Sequence, residues 1–186
     1  MATKVITAVA NEPVSLVEAK AHLRIVVTDD DTLITAQISA AREFAEHYTG
    51  RSLAPQTLEL ALDAFPSDAI ELIGLPVTSI TSIKYIDMNG VEQTLATTFY
   101  SLNDYGLTAS VELAANKEWP ETQSVANAVK VRYAAGYAEA PKTVKAAMLL
   151  LIGHLYENRQ EGTAFKVEQL PMGVKALLNT FDTMAF

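Results

Sequence analysis

"EFAEHYTGRSLAPQTLELALD", residues 43–63, contains the change of period that decides the fold. Upstream of it Ile34, Ile38, Ala41, Ala45 and Tyr48 recur at helical spacing and make one apolar stripe. Downstream, Leu58, Leu60 and Leu62 alternate with polar or small neighbours, the pattern of a half-buried strand. Gly50 stands at the junction, where a helix can end in the left-handed conformation. The chain therefore passes here from a helical part into a β-rich part.

Moving back toward the start, "DDDTLITAQISAAREFAEHYTG" opens with acidic residues that suit the positive end of a helix dipole. Before it, "PVSLVEAKAHLRI" offers Ser15 as an N-cap and Glu18 three residues later, a capping box, with Leu16, Ala19 and Leu23 on one face. Moving forward, "AIELIGLP" reads as a short strand ended by Gly74 and Pro76. "SITSIKYIDMNGVEQTL" predicts a hairpin around a type I′ Asn89-Gly90 turn. "TTFYSLNDYGLTASVELA" predicts a second hairpin turning near Asn103 to Gly106, and "AVKVRYAAGY" closes the region. Residues 56–135 thus hold about six or seven short strands. Helix returns after Pro141, and residues 144–156 are apolar nearly all the way round. A polar loop follows, then "LPMGVKALLNTF" with Val174, Leu177, Leu178 and Phe181 on one stripe.

The expected fold is α+β: a small helical bundle of two N-terminal and two C-terminal helices with an inserted antiparallel β-rich sheet or sandwich. Residues 1–52 and 138–186 form the helical core and residues 53–137 the inserted β-rich subdomain. The segments 1–12 and 160–186 carry few apolar anchors or follow a polar loop, and are expected to order only on assembly.

Composition narrows the function. The 186 residues carry a net charge of −8, which disfavours a nucleic-acid binder that works by covering phosphates. The acidity is concentrated in residues 51–140, with 5 basic and 11 acidic side chains. Absence of cysteine removes disulfides, thiol nucleophiles and cysteine metal sites. The start lacks a signal-peptide pattern and no apolar run approaches the roughly 20 residues that span a bilayer, so a soluble, unsecreted protein with no membrane partner is expected.

Candidate chemistry is sparse. Asp29, Asp30 and Asp31 do not open an EF-hand, because the sixth and twelfth positions hold Ile34 and Ala40; helix capping accounts for them. His22, His47 and His154 fall on three predicted helices without metal-ligand spacing. There is no GxSxG elbow, phosphate-binding glycine loop or GxGxxG motif. No metal, cofactor or catalytic residue is assigned. Trp119 is read as a cover over the core edge, with ligand binding by the β-rich part as the alternative function. His154 and Glu157 are read as the wet end of a buried helix, against a hydrolase that would use both.

In order along the chain, "PVSLVEAKAHLRI", "DDDTLITAQISAAREFAEHYTGRSLAPQTLEL", "LPVTSITSIKYIDMNG", "WPET", "VKVRYAAGY", "HLYENRQ" and "LPMGVKALL" resemble the head–tail connector (adaptor) proteins of tailed double-stranded-DNA bacteriophages, from about residue 12 to residue 181. The resemblance implies a non-enzymatic virion subunit at the head–tail junction, made in the host cytoplasm. It implies a ring of roughly a dozen copies between the portal protein and a tail or stopper protein, with a monomer before assembly left open. DNA would pass through without sequence-specific contact. Within that frame Leu151, Leu155, Tyr156, Asn158 and Arg159, at the end of the over-apolar helix, are the expected subunit-interface residues.

Overall fold

The computed structural model describes residues 2–106, 108–158 and 172–181. Among these residues four α-helices and two antiparallel sheets make an α+β fold. The chain divides into two compact units, Met1–Ala10 with Pro55–Gly136, and Asn11–Ala54 with Tyr137–Phe186.

The second unit is helical. Helix α1 (Leu16–Leu23) starts on the expected capping box: the Glu18 N–H donates to Ser15 Oγ at 3.2 Å, and the Ser15 N–H donates to the Glu18 carboxylate at 2.8 Å. Helix α2 (Asp31–Thr49) ends at Gly50, whose φ of 65° only glycine adopts without strain. Helices α3 (Lys142–Glu157) and α4 (Met172–Leu178) complete the unit. Their stripes meet in one core, in which Ala19, Ile34, Ile38, Ala41, Ala45, Val144, Met148, Ile152, Val174 and Leu178 are all buried. At about 25 cal/mol per Å² of apolar surface removed from water, this shared core is what holds four otherwise marginal helices.

The first unit is larger in β structure than the sequence reading allowed. Strands β2 (Gln56–Leu62), β3 (Ile70–Leu72), β4 (Val77–Ile86), β5 (Glu92–Thr94), β6 (Tyr100–Asn103), β7 (Ala109–Leu113) and β8 (Val129–Ala135) are joined by β1 (Ala2–Thr7). They form a five-stranded sheet in the order β1-β2-β8-β4-β5 and a three-stranded sheet in the order β3-β7-β6. Strand β1 departs from the expectation that 1–12 orders only on assembly, because "ATKVIT" pairs antiparallel with β2, from Ala2 opposite Ala61 to Thr7 opposite Thr57. The same applies to Val174–Phe181, whose apolar side chains reach the helical core; residues 159–171 and 182–186 lie outside the described residues.

Both sheets turn their alternating apolar residues onto a single core of Leu58, Leu60, Ile83, Val129, Val131 and Tyr133 from one sheet and Ile70, Leu72, Ala109 and Val111 from the other. The Tyr133 hydroxyl donates to the Ile73 carbonyl at 3.0 Å, and burial pushes its pKa up to about 12. The hairpin at Asn89-Gly90 is present, but not as a type I′ turn. Only Gly90 has positive φ (80°), the Gly90 N–H donates to the Asp87 carbonyl, and Asp87 and Val91 bond across the turn. The Asp87 carboxylate accepts from the N–H groups of Asn89 and Val91, which favours the longer turn.

Candidate assembly interface

Helix α3 ends in the residues the sequence singles out, and the fold uses them unequally. Leu151 is 6% exposed and belongs to the helical core, so its side chain anchors the helix and is not offered to a neighbour. Leu155 and Tyr156 are half-buried against the same core. The Tyr156 hydroxyl donates to the Asp30 carboxylate, tying the end of α3 to the start of α2. Asn158 is the exposed C-cap: its side-chain amide donates to the His154 carbonyl at 2.9 Å and lies 3.2 Å from His154 Nδ1. Arg159 lies outside the described residues.

Asp30 and Asp31, at the start of α2, serve differently from the capping expected of them. Asp30 is the N-cap residue but makes no side-chain cap bond, and Asp31 instead pairs with Lys20 of α1 at 2.5 Å. Their charge still sits at the positive helix end, while their carboxylates bind α2 to its two neighbours. At the other end of α3, Lys145 in its first turn reaches Glu18 of α1 at 3.4 Å. At the wet end of α3, Tyr156 is thus tied to its own subunit while Asn158 stays exposed.

Apolar side chains of the helical unit are also open to another molecule. Val26, in the turn between α1 and α2, is 92% exposed, and Val27 beside it is exposed too. Leu150 on α3 and Met172 at the start of α4 also face outward. The sequence reading missed the two valines, although an apolar pair one residue before an acidic run was visible. Isolated exposed apolar residues are ordinary; two adjacent ones in a turn are the kind of feature interfaces use.

No reaction centre emerges among the described residues. Histidine, aspartate and glutamate side chains do not gather in a group of three able to hold a metal. Among the described residues no helix is long and apolar enough to cross a membrane. Trp119 lies flat on Phe65, with centroids 4.8 Å apart and planes 5° from parallel, and its indole N–H donates to the Asp68 carbonyl at 3.4 Å. Its ring covers the β core and does not stand out for a ligand.

A family model described as head completion protein matches residues 14–180. The chain belongs to the head completion protein family. The head completion fold recurs in solved particles. A chain from the virion of a native gene transfer agent (GTA) particle is 26% identical, with a TM-score of 0.82 over 100% of this chain and 97% of that one. A chain from the neck of an empty GTA particle, computed with C6 symmetry, is 26% identical with a TM-score of 0.83 and the same coverage. One from the neck of a native GTA particle, computed with C12 symmetry, is 25% identical with a TM-score of 0.80, again over 100% and 97%. No curated protein matches the chain.

Proposed function

We propose that this head completion protein is a structural subunit of a ring at the head–tail junction of a virion, seated between a portal protein and a tail or stopper protein. The observation that carries this reading is likeness over the whole chain to a subunit of particle necks, one of them of C12 symmetry. The ring has about a dozen copies on that model, assembled from monomers, and extends the channel through which DNA passes. The helical unit acts as the small bundle that forms its body. Leu155, Tyr156 and Asn158, with Arg159 beyond them, contribute to the contact between neighbours, with Leu151 supporting them from the core.

The physical features agree with such a role. A net charge of −8 makes a wall that DNA slides past without being held. Side chains that elsewhere would perform catalysis serve here as ties between helices, so the subunit acts by shape and not by chemistry. The test is co-purification with portal-bearing particles followed by electron microscopy. A ring of this chain beneath the portal is expected; a compact monomer that stays unbound with portal present overturns the reading.

A further inference from the structure

The β-rich unit is electrically two-faced. Its basic side chains are Lys4, Lys84, Lys117, Lys130 and Arg132, and all but Lys117 lie on the outer face of the five-stranded sheet. That assignment follows from register: the alternate residues Leu60, Ile83, Val129, Val131 and Tyr133 point into the core, leaving Lys84, Lys130 and Arg132 on the other side. Lys84 stands directly opposite Lys130, a like-charge pairing that destabilises a sheet. Both share Glu92, at 2.7 and 3.9 Å. Glu59 lies between Lys4 and Arg132 in the ladder and holds the latter at 2.6 Å. Beside them, a depression of about 460 Å³ is lined by Ala2, Ala61 and Ala126 together with Lys4, Glu59 and Lys130.

The three-stranded sheet has the opposite sign. Glu71 and Glu112 lie outward between core residues, and Asp68, Asp104, Glu118 and Glu121 are exposed on the loops around it. Lys117 is the one cation among them, and it sits over the Phe99 ring at 4.6 Å. Because both sheets pack on one core, the basic and acidic faces look away from each other. Glu59 and Glu92 offset only part of the basic face, and the imbalance of sign that remains between the two faces is matched repeatedly when copies stack head to tail.

We propose that the outer face of the five-stranded sheet is a subunit contact, occupied by the acidic three-stranded sheet of a second copy of this chain. This rests on the ring reading above and assigns it a charge-matched pair of faces. Nucleic acid fits the basic face less well: Glu59 and Glu92 are interleaved with the cations and would repel phosphates, whereas a mixed-sign protein surface can match them. The small residues around the depression leave room for long acidic side chains to enter between the lysines.

Two paired reversals test this in the full-length chain: Lys4→Glu with Lys130→Glu, and Glu71→Lys with Glu112→Lys. Each is expressed with the remaining particle components, and its copies per purified particle are counted. Each variant alone is expected to be incorporated at least about tenfold less than wild type, a loss equivalent to about 1.4 kcal/mol. Co-expression of the two restores incorporation, because every contact then joins opposite charges in alternating subunits. Circular dichroism establishes that each variant folds; should a reversal unfold the chain, Lys4→Gln with Lys130→Gln replaces it and must weaken incorporation in the same direction. Incorporation of either reversal at the wild-type level, or failure of the mixture to recover, overturns the proposal. Absence of the wild-type chain from particles overturns the ring reading instead.

Discussion

Replacing Arg42 by leucine should loosen the helical unit more than any exposed charge change can. The side chain is 11% exposed, with Nε 2.8 Å from Glu12 and Nη1 2.6 Å from Glu46. Those carboxylates have further duties: Glu12 accepts from the Ser39 hydroxyl at 2.8 Å, and Glu46 accepts the Leu53 N–H at 2.8 Å. Burial works against the charge on Arg42, but Glu46 and Glu12 outweigh it and raise its pKa. Removing one partner from a buried pair costs about 3–5 kcal/mol. Both carboxylates retain some solvent, which reduces the expected loss to about 2–3 kcal/mol. With a urea m-value of about 2 kcal/mol/M, the midpoint followed by far-UV circular dichroism should fall by about 1–1.5 M. Glu43 provides the contrast: 3.4 Å from Arg42 and 70% exposed, it should cost no more than about 0.5 kcal/mol as Glu43→Ala. A shift below about 0.3 M for Arg42→Leu, or equal losses for the two variants, would refute the view that burial sets the value of this cluster.

Three further outcomes are expected. Gly50→Ala forces a side chain into the left-handed region at the end of α2 and should destabilise by about 1–2 kcal/mol in thermal unfolding; an unchanged Tm would contradict the strained geometry. Phe65→Ala removes the ring stacked on Trp119, so the emission of this only tryptophan should move to longer wavelength while the helical signal is kept; an unmoved spectrum means the stack is absent in solution. Finally, the bonds from the Ser15 backbone N–H and hydroxyl, helped by Lys145, hold the Glu18 carboxyl below its ordinary value. Its contribution is therefore complete above the unfolded value of about 4.3 and is lost as pH falls through the folded value. The stability difference between wild type and Glu18→Gln should shrink as pH drops below about 4, and a constant difference would count against the capping box.

Local signals in this chain were readable and non-local ones were not. The period change at residues 43–63, the Ser15–Glu18 box and the Gly50 stop each depend on neighbours within a few residues, and each corresponds to an observed element. Strand β1 escaped because "ATKVIT" is a half-exposed edge whose partner lies some fifty residues away, so nothing nearby marks it. The split into two sheets was equally hidden, since alternation shows which residues face a core and not which strands share a ladder. At the candidate interface, an all-round apolar α3 cannot announce its inner side. Only the packing of neighbouring helices puts Leu151 inside and leaves Leu150 outside. The bipolar β unit was written in the charges, but sorting them needs the register of β2, β4 and β8.

The position of β8 in its sheet has a consequence for how the protein is made. It is the central strand, between β2 and β4, yet the last of the eight described strands to leave the ribosome. At about 5–20 residues per second, a nascent chain therefore spends several seconds with β1-β2 and β4-β5 as separate ribbons, each exposing an unpaired edge. One seven-residue insertion then joins them, Leu60 to Val131 and Val131 to Ile83. Synthesis halted before Val129 leaves two adhesive ribbons in place of a sheet, so the β unit acquires its protection from aggregation in a single late event.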